Sequence, residues 1–200
     1  MNLTSVPDEI HTGRLHLRSW RQSDAARLLP VLEANVDHLG GWIPDHVATP
    51  APLYQLELRL AGFAEDFEAA RSWRYAMLSP GEEEILGEVD LFPRSTDGRV
   101  ELASADRAEI GYWLRSDFTG RGLATEAAQA MLDVATALPG MNRVEIHCDP
   151  RNSASAAIPG RLGFRLGTDT APAPAGMVWV LDLPLRNACS SEMAFPRVRG

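Results

Sequence analysis

The sequence predicts one α/β domain on a mixed sheet, and three observations carry that expectation. Residues 13–20, "GRLHLRSW", set Leu15 and Leu17 against His16 and Arg18 with the period of a half-buried strand. Leu56, Leu60, Phe63 and Phe67 recur at i, i+4, i+7 and i+11, the apolar stripe of a core-facing helix. Residues 107–149 read as strand, glycine-rich loop, helix and strand, which implies neighbouring parallel strands joined by a right-handed crossover.

The other elements fill in around these. In "RQSDAARLLPVLEA" (21–34), Ser23 or Asp24 can cap a helix that carries Leu28 and Leu32 on one face. "DHLGGWIPDHVATPAP" (37–52) is rich in Gly, Pro and His and reads as a loop. "RSWRYAML" (71–78) and "EILGEVDLF" (84–92) read as paired strands joined by the Ser-Pro-Gly-Glu turn at 79–82, and "STDGR" (95–99) marks a further turn. "RAEIGYWLRS" (107–116) has the large apolar residues of a central strand. Leu123, Ala127, Met131, Val134 and Leu138 mark a helix stopped by Pro139-Gly140, and "NRVEIHCD" (142–149) alternates as a returning strand. "PRNSASAAIPGRLGF" (150–164) reads as a short helix interrupted at Pro159, and "GMVWVLDLPL" (176–185) as a last strand. No repeat or linker divides the chain, so residues 1–186 are expected to form the domain and the weakly periodic 187–200 a tail.

Composition excludes several function classes. A formal charge of −8 argues against a nucleic-acid partner, which needs a basic footprint, and weakly favours a cationic one such as an amine. No apolar run approaches the ~20 residues that span a bilayer, and "MNLTSVPDEIHTGR" lacks the basic and apolar regions of a signal peptide. Cys148 and Cys189 form no metal-spaced pair or disulfide framework, which fits a cytoplasmic protein, and Cys148 on a strand reads as a buried thiol. All 19 basic residues are arginine, which removes P-loop lysine and Schiff-base chemistry. The five histidines show no HExxH-like spacing and there is no G-x-S-x-G elbow, so neither a metal site nor a serine nucleophile is expected.

The stretch with chemical content is "FTGRGLATEA" (118–127). Gly120 and Gly122 sit where a strand feeds a helix, so bare N–H groups and the positive helix end can meet an anion that a Cβ would hold away. A ligand-free turn explains the same glycines. A dinucleotide fingerprint, with Glu145 as the ribose acid, is the other competitor, but Thr125 holds the third glycine position and no further βαβ repeats follow.

The surroundings resemble the GNAT family of N-acetyltransferases, and within it the RimJ/RimL-like branch that acetylates ribosomal-protein N-termini. "IGYWLRSDFTGRGLATEA" (110–127) is similar to the family's strand, Q/R-x-x-G-x-G/A loop and helix, with Gly122 and Ala124 in the last two positions and Thr119 where Gln or Arg is usual. "TGRLHLRSWRQSDAARLL", "ILGEVDL" and "NRVEIHCDPRNSASAAIPGRLGFR" resemble its opening strand and helix, middle strand, and Asn-x-x-Ser…Gly-Phe segment, so the likeness covers roughly residues 11–185.

The resemblance implies a mixed, mostly antiparallel sheet with a splayed central parallel pair, helices on both faces and a possible homodimer. It implies acetyl-CoA as co-substrate and direct attack by an amine, either a protein N-terminus or a small molecule. Thr119, Gly120, Arg121, Gly122, Leu123, Ala124 and Thr125 would hold the pyrophosphate mainly through N–H groups, although Thr125 also fits a plain first-turn residue. Leu114 and Arg115 would bond the pantetheine arm by backbone. Asn152 would bond it too and Ser155 would protonate the thiolate, unless they merely cap and open a helix. Arg161 would reach the nucleotide phosphates or stand solvated. The tyrosine acid of many family members is replaced by Pro159, and the glutamate of a "GF-x-x-E-G" context by Gly167. Glu109 is then the expected base, Glu88 and Asp90 are its rivals on the acceptor side, and Trp42 is an aromatic wall for the acceptor or a core residue. A non-catalytic acyl-CoA sensor is the alternative of a different class.

Overall fold

A computed structural model describes residues 6–167 and 176–184. Its elements, in chain order, are β1 (Glu9–His11), β2 (His16–Ser19), α1 (Ala25–Ala34), the single turns α2 (Val36–Leu39) and α3 (Asp45–Ala48), and α4 (Leu53–Glu68). There follow β3 (Trp73–Leu78), β4 (Ile85–Ser95), β5 (Gly98–Arg99), β6 (Arg107–Leu114), α5 (Leu123–Ala137), β7 (Arg143–Cys148), α6 (Ser153–Arg161), β8 (Arg165–Leu166) and β9 (Met177–Asp182). Strand order is β1-β2-β3-β4-β6-β7-β9-β8, with β5 on β4. Every described pairing is antiparallel except β6 with β7, the pair joined through α5.

Two cores form because residues alternate across the sheet. Trp73, Tyr75 and Met77 of β3 join Val89, Leu91, Ala108 and Ile110 under α5, whose Ala124, Ala127, Ala128 and Met131 face the sheet. Ala76 and Leu78 point the other way, to Leu28 and Leu32 of α1 and Leu56 and Leu60 of α4. Helices therefore cover both faces, as expected. The α1/α4 face also carries charge: Arg74, Glu88 and Asp90 are all buried there.

Several local expectations change. The strand expected at 13–20 is β2 alone; Gly13 and Arg14 turn the chain after β1, a strand too short to leave a periodicity. The 37–52 loop contains two single helical turns. Neither Ser23 nor Asp24 caps α1 with its side chain. Instead the Asp24 carboxylate accepts a bidentate pair from Arg18 Nη1 and Nη2 at 2.7 and 2.8 Å, and a buried charge bonded this way is worth more than a cap. α6 runs through Pro159 without interruption. The tail assigned to 187–200 lies outside the described residues.

Gly87 shows how tightly β4 meets β6. It lies opposite Leu114, and a Cβ there would stand 2.1 Å from the Trp113 carbonyl oxygen. Because the neighbour is backbone, relief requires moving a strand. Gly87→Ala is expected to destabilise the domain by about 2–3 kcal/mol, or roughly 5–10 °C in Tm; an unchanged melting temperature would contradict the packing described.

Candidate active site

β6 pairs with β4 along its full length, Arg107 to Leu114, but with β7 only from Arg107↔Arg143 to Glu109↔Glu145. Beyond that point the parallel strands part. Their inner main-chain groups then lack a strand partner and must find another one. A cavity of about 1390 Å³ runs along the gap, lined by Tyr112, Leu114, Ile146 and Cys148 of the two strands and by the start of α5. It exceeds the roughly 300–1,000 Å³ of a single-ligand pocket, leaving room for two reactants.

The glycine loop closes one end of the gap. Gly120 and Gly122 have φ of +72° and +77°, the left-handed region that a side chain disfavours, and Gly122 is the N-cap of α5. The first helical hydrogen bond is Glu126 N–H to Gly122 O at 3.0 Å. Among the described residues no acceptor meets the N–H groups of Gly120 to Thr125. A cap without a side chain and a row of open amides at a 15-residue helix make an anion seat. Arg121 is not part of it by side chain, since its guanidinium donates to Asp117 O at 2.7 Å and lies over Phe118. Thr119 lines the cavity, but its hydroxyl donates to Ser116 O at 2.8 Å.

Arg14 braces this loop, a role that no sequence pattern announces. Its Nη1 donates to Arg121 O at 2.7 Å, its Nε donates to Glu126 Oε2 at 2.7 Å, and its Nη2 lies 3.5 Å from where a Gly122 Cβ would stand.

A buried acidic pair lies on the α1/α4 side of the gap. Glu88 accepts from Trp20 Nε1 at 2.6 Å and from Arg74 Nη1 at 2.7 Å, while Asp90 has only the longer contact from Arg74 at 3.3 Å. Two carboxylates thus share one guanidinium. Burial raises both, and Glu88 holds the closer bonds, so Asp90 takes the proton; its carboxyl is pushed up to about 7. Asp90 Oδ1 has no hydrogen-bond partner and fills the space where a Gly111 Cβ would stand at 2.2 Å. Gly111 therefore exists to admit this oxygen. Glu109 lines the same cavity, but Arg94 Nη1 donates to its Oε2.

α6 forms the opposite wall. Asn152 is its N-cap, with Oδ1 accepting Ser155 N–H at 3.1 Å, so the capping reading of Asn152 is realised and its NH₂ is left without a protein partner among the described residues. Pro159 has no N–H for the carbonyl of Ser155, four residues earlier. The Tyr112 hydroxyl, from β6, donates to that carbonyl at 3.1 Å and accepts from Ser155 Oγ at 3.3 Å. Burial keeps this phenol protonated, pushed up to about 12. In the sequence Tyr112 stood out only as part of a central strand rich in large residues; the orphan carbonyl left by Pro159 was the signal that could have found it.

The cavity therefore gathers most of the expected residues. Trp42 stands at its edge, 42% exposed and thus no core residue, with Arg151 beside its ring at 5.8 Å. Arg161 is exposed on the lining. Leu114 lines it as well, although His38 Nε2 is 3.2 Å from its carbonyl oxygen. Arg115 faces elsewhere: its N–H donates to Leu86 O at 2.9 Å and its guanidinium to Asp117.

Comparison with known proteins adds a family and relatives. Residues 14–165 match the family model for the acetyltransferase (GNAT) domain. The chain is 27% identical to YdaF of Bacillus subtilis (strain 168), provisionally named a ribosomal N-acetyltransferase, over 74% of this chain and 76% of the relative. It is 25% identical to the ribosomal protein uS5 alanine N-acetyltransferase of Escherichia coli (strain K12), over 80% of each. The fold superposes with a TM-score of 0.70 on RimL, a ribosomal L7/L12 alpha-N-protein acetyltransferase in complex with coenzyme A, at 21% identity over 89% of this chain and 97% of that one.

Asp90 also links the site to stability. In the unfolded chain it ionises near 3.8, and in the folded protein near 7, so the folded state holds the extra proton between those values. Stability is then fully present below about 4 and falls as pH rises towards 7. Asp90→Asn is expected to flatten this dependence in urea denaturation between pH 5 and 8; an identical slope in both proteins would contradict the assignment.

Proposed function

The chain belongs to the GNAT acetyltransferase family, and from that premise we propose that it acetylates the α-amino group of a peptide N-terminus, with acetyl-CoA and the acceptor held together in the one cavity. The observation that carries the reading is the row of open N–H groups from Gly120 to Thr125 at the mouth of the splay. Such a row suits a pyrophosphate, and unpaired main-chain groups of β6 and β7 suit the amides of an extended pantetheine arm. Bound acetyl-CoA supplies the acyl group on a thioester. The chain's own residues then do three things.

They position. The Gly120–Thr125 amides, the Asn152 NH₂ and the Arg161 guanidinium fix one reactant along the gap, and Trp42 and the α1/α4 face receive the other. Holding two reactants in register removes much of the entropic barrier. They accept a proton. The acceptor amine attacks only when neutral, and a terminal α-amino group titrates near ~7.7–8.0. Asp90, near 7, is matched to it, whereas a side-chain amine at about 10.4 would hold its proton too firmly. Glu109, neutralised by Arg94, is the weaker candidate. They offer a hydrogen bond to the departing sulfur. Ser155 Oγ, which otherwise donates to the Tyr112 oxygen at 3.3 Å, would turn its hydroxyl to the thiolate, and the thiolate takes its proton from solvent.

The names of the relatives support a protein acceptor, since two of them modify ribosomal proteins. A thiol-release assay with acetyl-CoA, peptides bearing free N-termini, the same peptides blocked, and small amines tests the reading. Free N-termini should be acetylated, and Asp90→Asn should lower kcat about 10²-fold or more with KM little changed, against a smaller loss for Glu109→Gln. Turnover confined to small amines, or an Asp90→Asn enzyme as fast as the parent, would overturn it.

A further inference from the structure

At the free edge of the sheet, away from the acyl-transfer cavity, the hairpin of β1 and β2 brings Glu9, His11 and His16 together. His11 and His16 are five residues apart in sequence, a spacing without meaning in a helix, but they stand directly opposite each other across the two strands. Their rings stack with centroids 4.2 Å apart. One ligand-type atom from each of Glu9, His11 and His16 lies within 4.8 Å of the other two.

An independent feature points to a ligand there. His16 is only 8% exposed, and its Nε2 has no hydrogen-bond partner. Glu9 Oε2 lies 3.7 Å from it, while the other oxygen of Glu9 is 3.3 Å from Arg21. The far side of the ring is organised differently. Nδ1 is 3.5 Å from Glu82 Oε1, and Glu82 is held by Arg18 Nε at 2.9 Å. Glu82 also adopts φ +60°, a left-handed backbone unusual for a side-chain-bearing residue. A carboxylate on the Nδ1 side, once drawn into a hydrogen bond, is the kind of partner that sets the tautomer of a metal-bound histidine and leaves Nε2 as the ligand atom.

We propose that Glu9, His11 and His16 form a binding site for a borderline-soft divalent cation of the Zn²⁺ type, with Glu82 positioning His16. Two imidazoles and one carboxylate are a zinc-type donor set, whereas Mg²⁺ and Ca²⁺ prefer oxygen donors alone. Bonds of ~2.0–2.2 Å in a tetrahedral shell put donor atoms roughly 3.3–3.5 Å apart. Closing from 4.8 Å to that spacing requires the exposed His11 to swing out of its stack with His16, so that both lone pairs converge, and the exposed Glu9 to turn in. With three protein ligands, a fourth position stays open to water. The bound ion would tie the short edge strand β1 to β2.

The test uses the full chain without an affinity tag, stripped with chelator and titrated calorimetrically with ZnCl₂ and separately with MgCl₂. The expected result is one equivalent of Zn²⁺ at micromolar Kd, a raised Tm with Zn²⁺ present, and no binding of Mg²⁺. Because His16 is buried and its variants can unfold, the deciding variants are His11→Ala and Glu9→Gln, whose folding is checked by circular dichroism. Each should weaken Zn²⁺ at least tenfold, and Glu82→Gln should weaken it by 10- to 100-fold. No Zn²⁺ binding by the parent protein, or binding that His11→Ala and Glu9→Gln both retain unchanged, would overturn the proposal.

Discussion

β6 is held along all eight of its residues by β4 but along only three by β7, and the rest of the site follows from that mismatch. β4 fixes β6 firmly, with Gly87 pressed against the Trp113 carbonyl. β7 is fixed in turn by six residues of pairing to β9. Both strands are thus held by their outer neighbours, and their inner main-chain groups beyond Glu109 and Glu145 are left without a strand partner. The anion seat, the acidic pair and the α6 wall are all referred to this one frame.

Two couplings cross the frame, each rooted in a residue that lacks something. Gly111 lacks a Cβ, and Asp90 Oδ1 occupies the space; a buried oxygen without a donor keeps a proton to higher pH. Pro159 lacks an N–H, and the Ser155 carbonyl turns to the Tyr112 hydroxyl instead. The second coupling pins α6 to β6, so the wall that carries Ser155 is registered against the strand that flanks the gap. Asp90 and Ser155 thus stand on opposite sides of the splay, each set against a residue of β6.

Much of this was legible in the sequence where a residue type has one strong conformational or chemical consequence. Gly120 and Gly122 predicted a bare helix end and adopt left-handed backbones there. Leu123, Ala127 and Met131 predicted the buried face of α5. What escaped was set by contacts between distant segments. Asp24 looked like a cap and became the partner of Arg18. Pro159 looked like a helix breaker, because nothing nearby in sequence announces that Tyr112 will satisfy the freed carbonyl. Arg14 and Glu126, 112 residues apart, brace the loop only once the turn between β1 and β2 meets the first turn of α5. The preference for Asp90 over Glu109 depends on which arginine reaches which carboxylate, and no periodicity encodes that.

In the proposed function, backbone amides more than side chains hold the co-substrate. Amide chemical shifts measured by ¹H–¹⁵N NMR during titration with acetyl-CoA are the decisive measurement. The largest shifts are expected on the N–H groups of Gly120, Gly122, Leu123, Ala124 and Thr125, with smaller ones along the open parts of β6 and β7. Saturable binding that leaves those amides unmoved, or no binding at all, would contradict it.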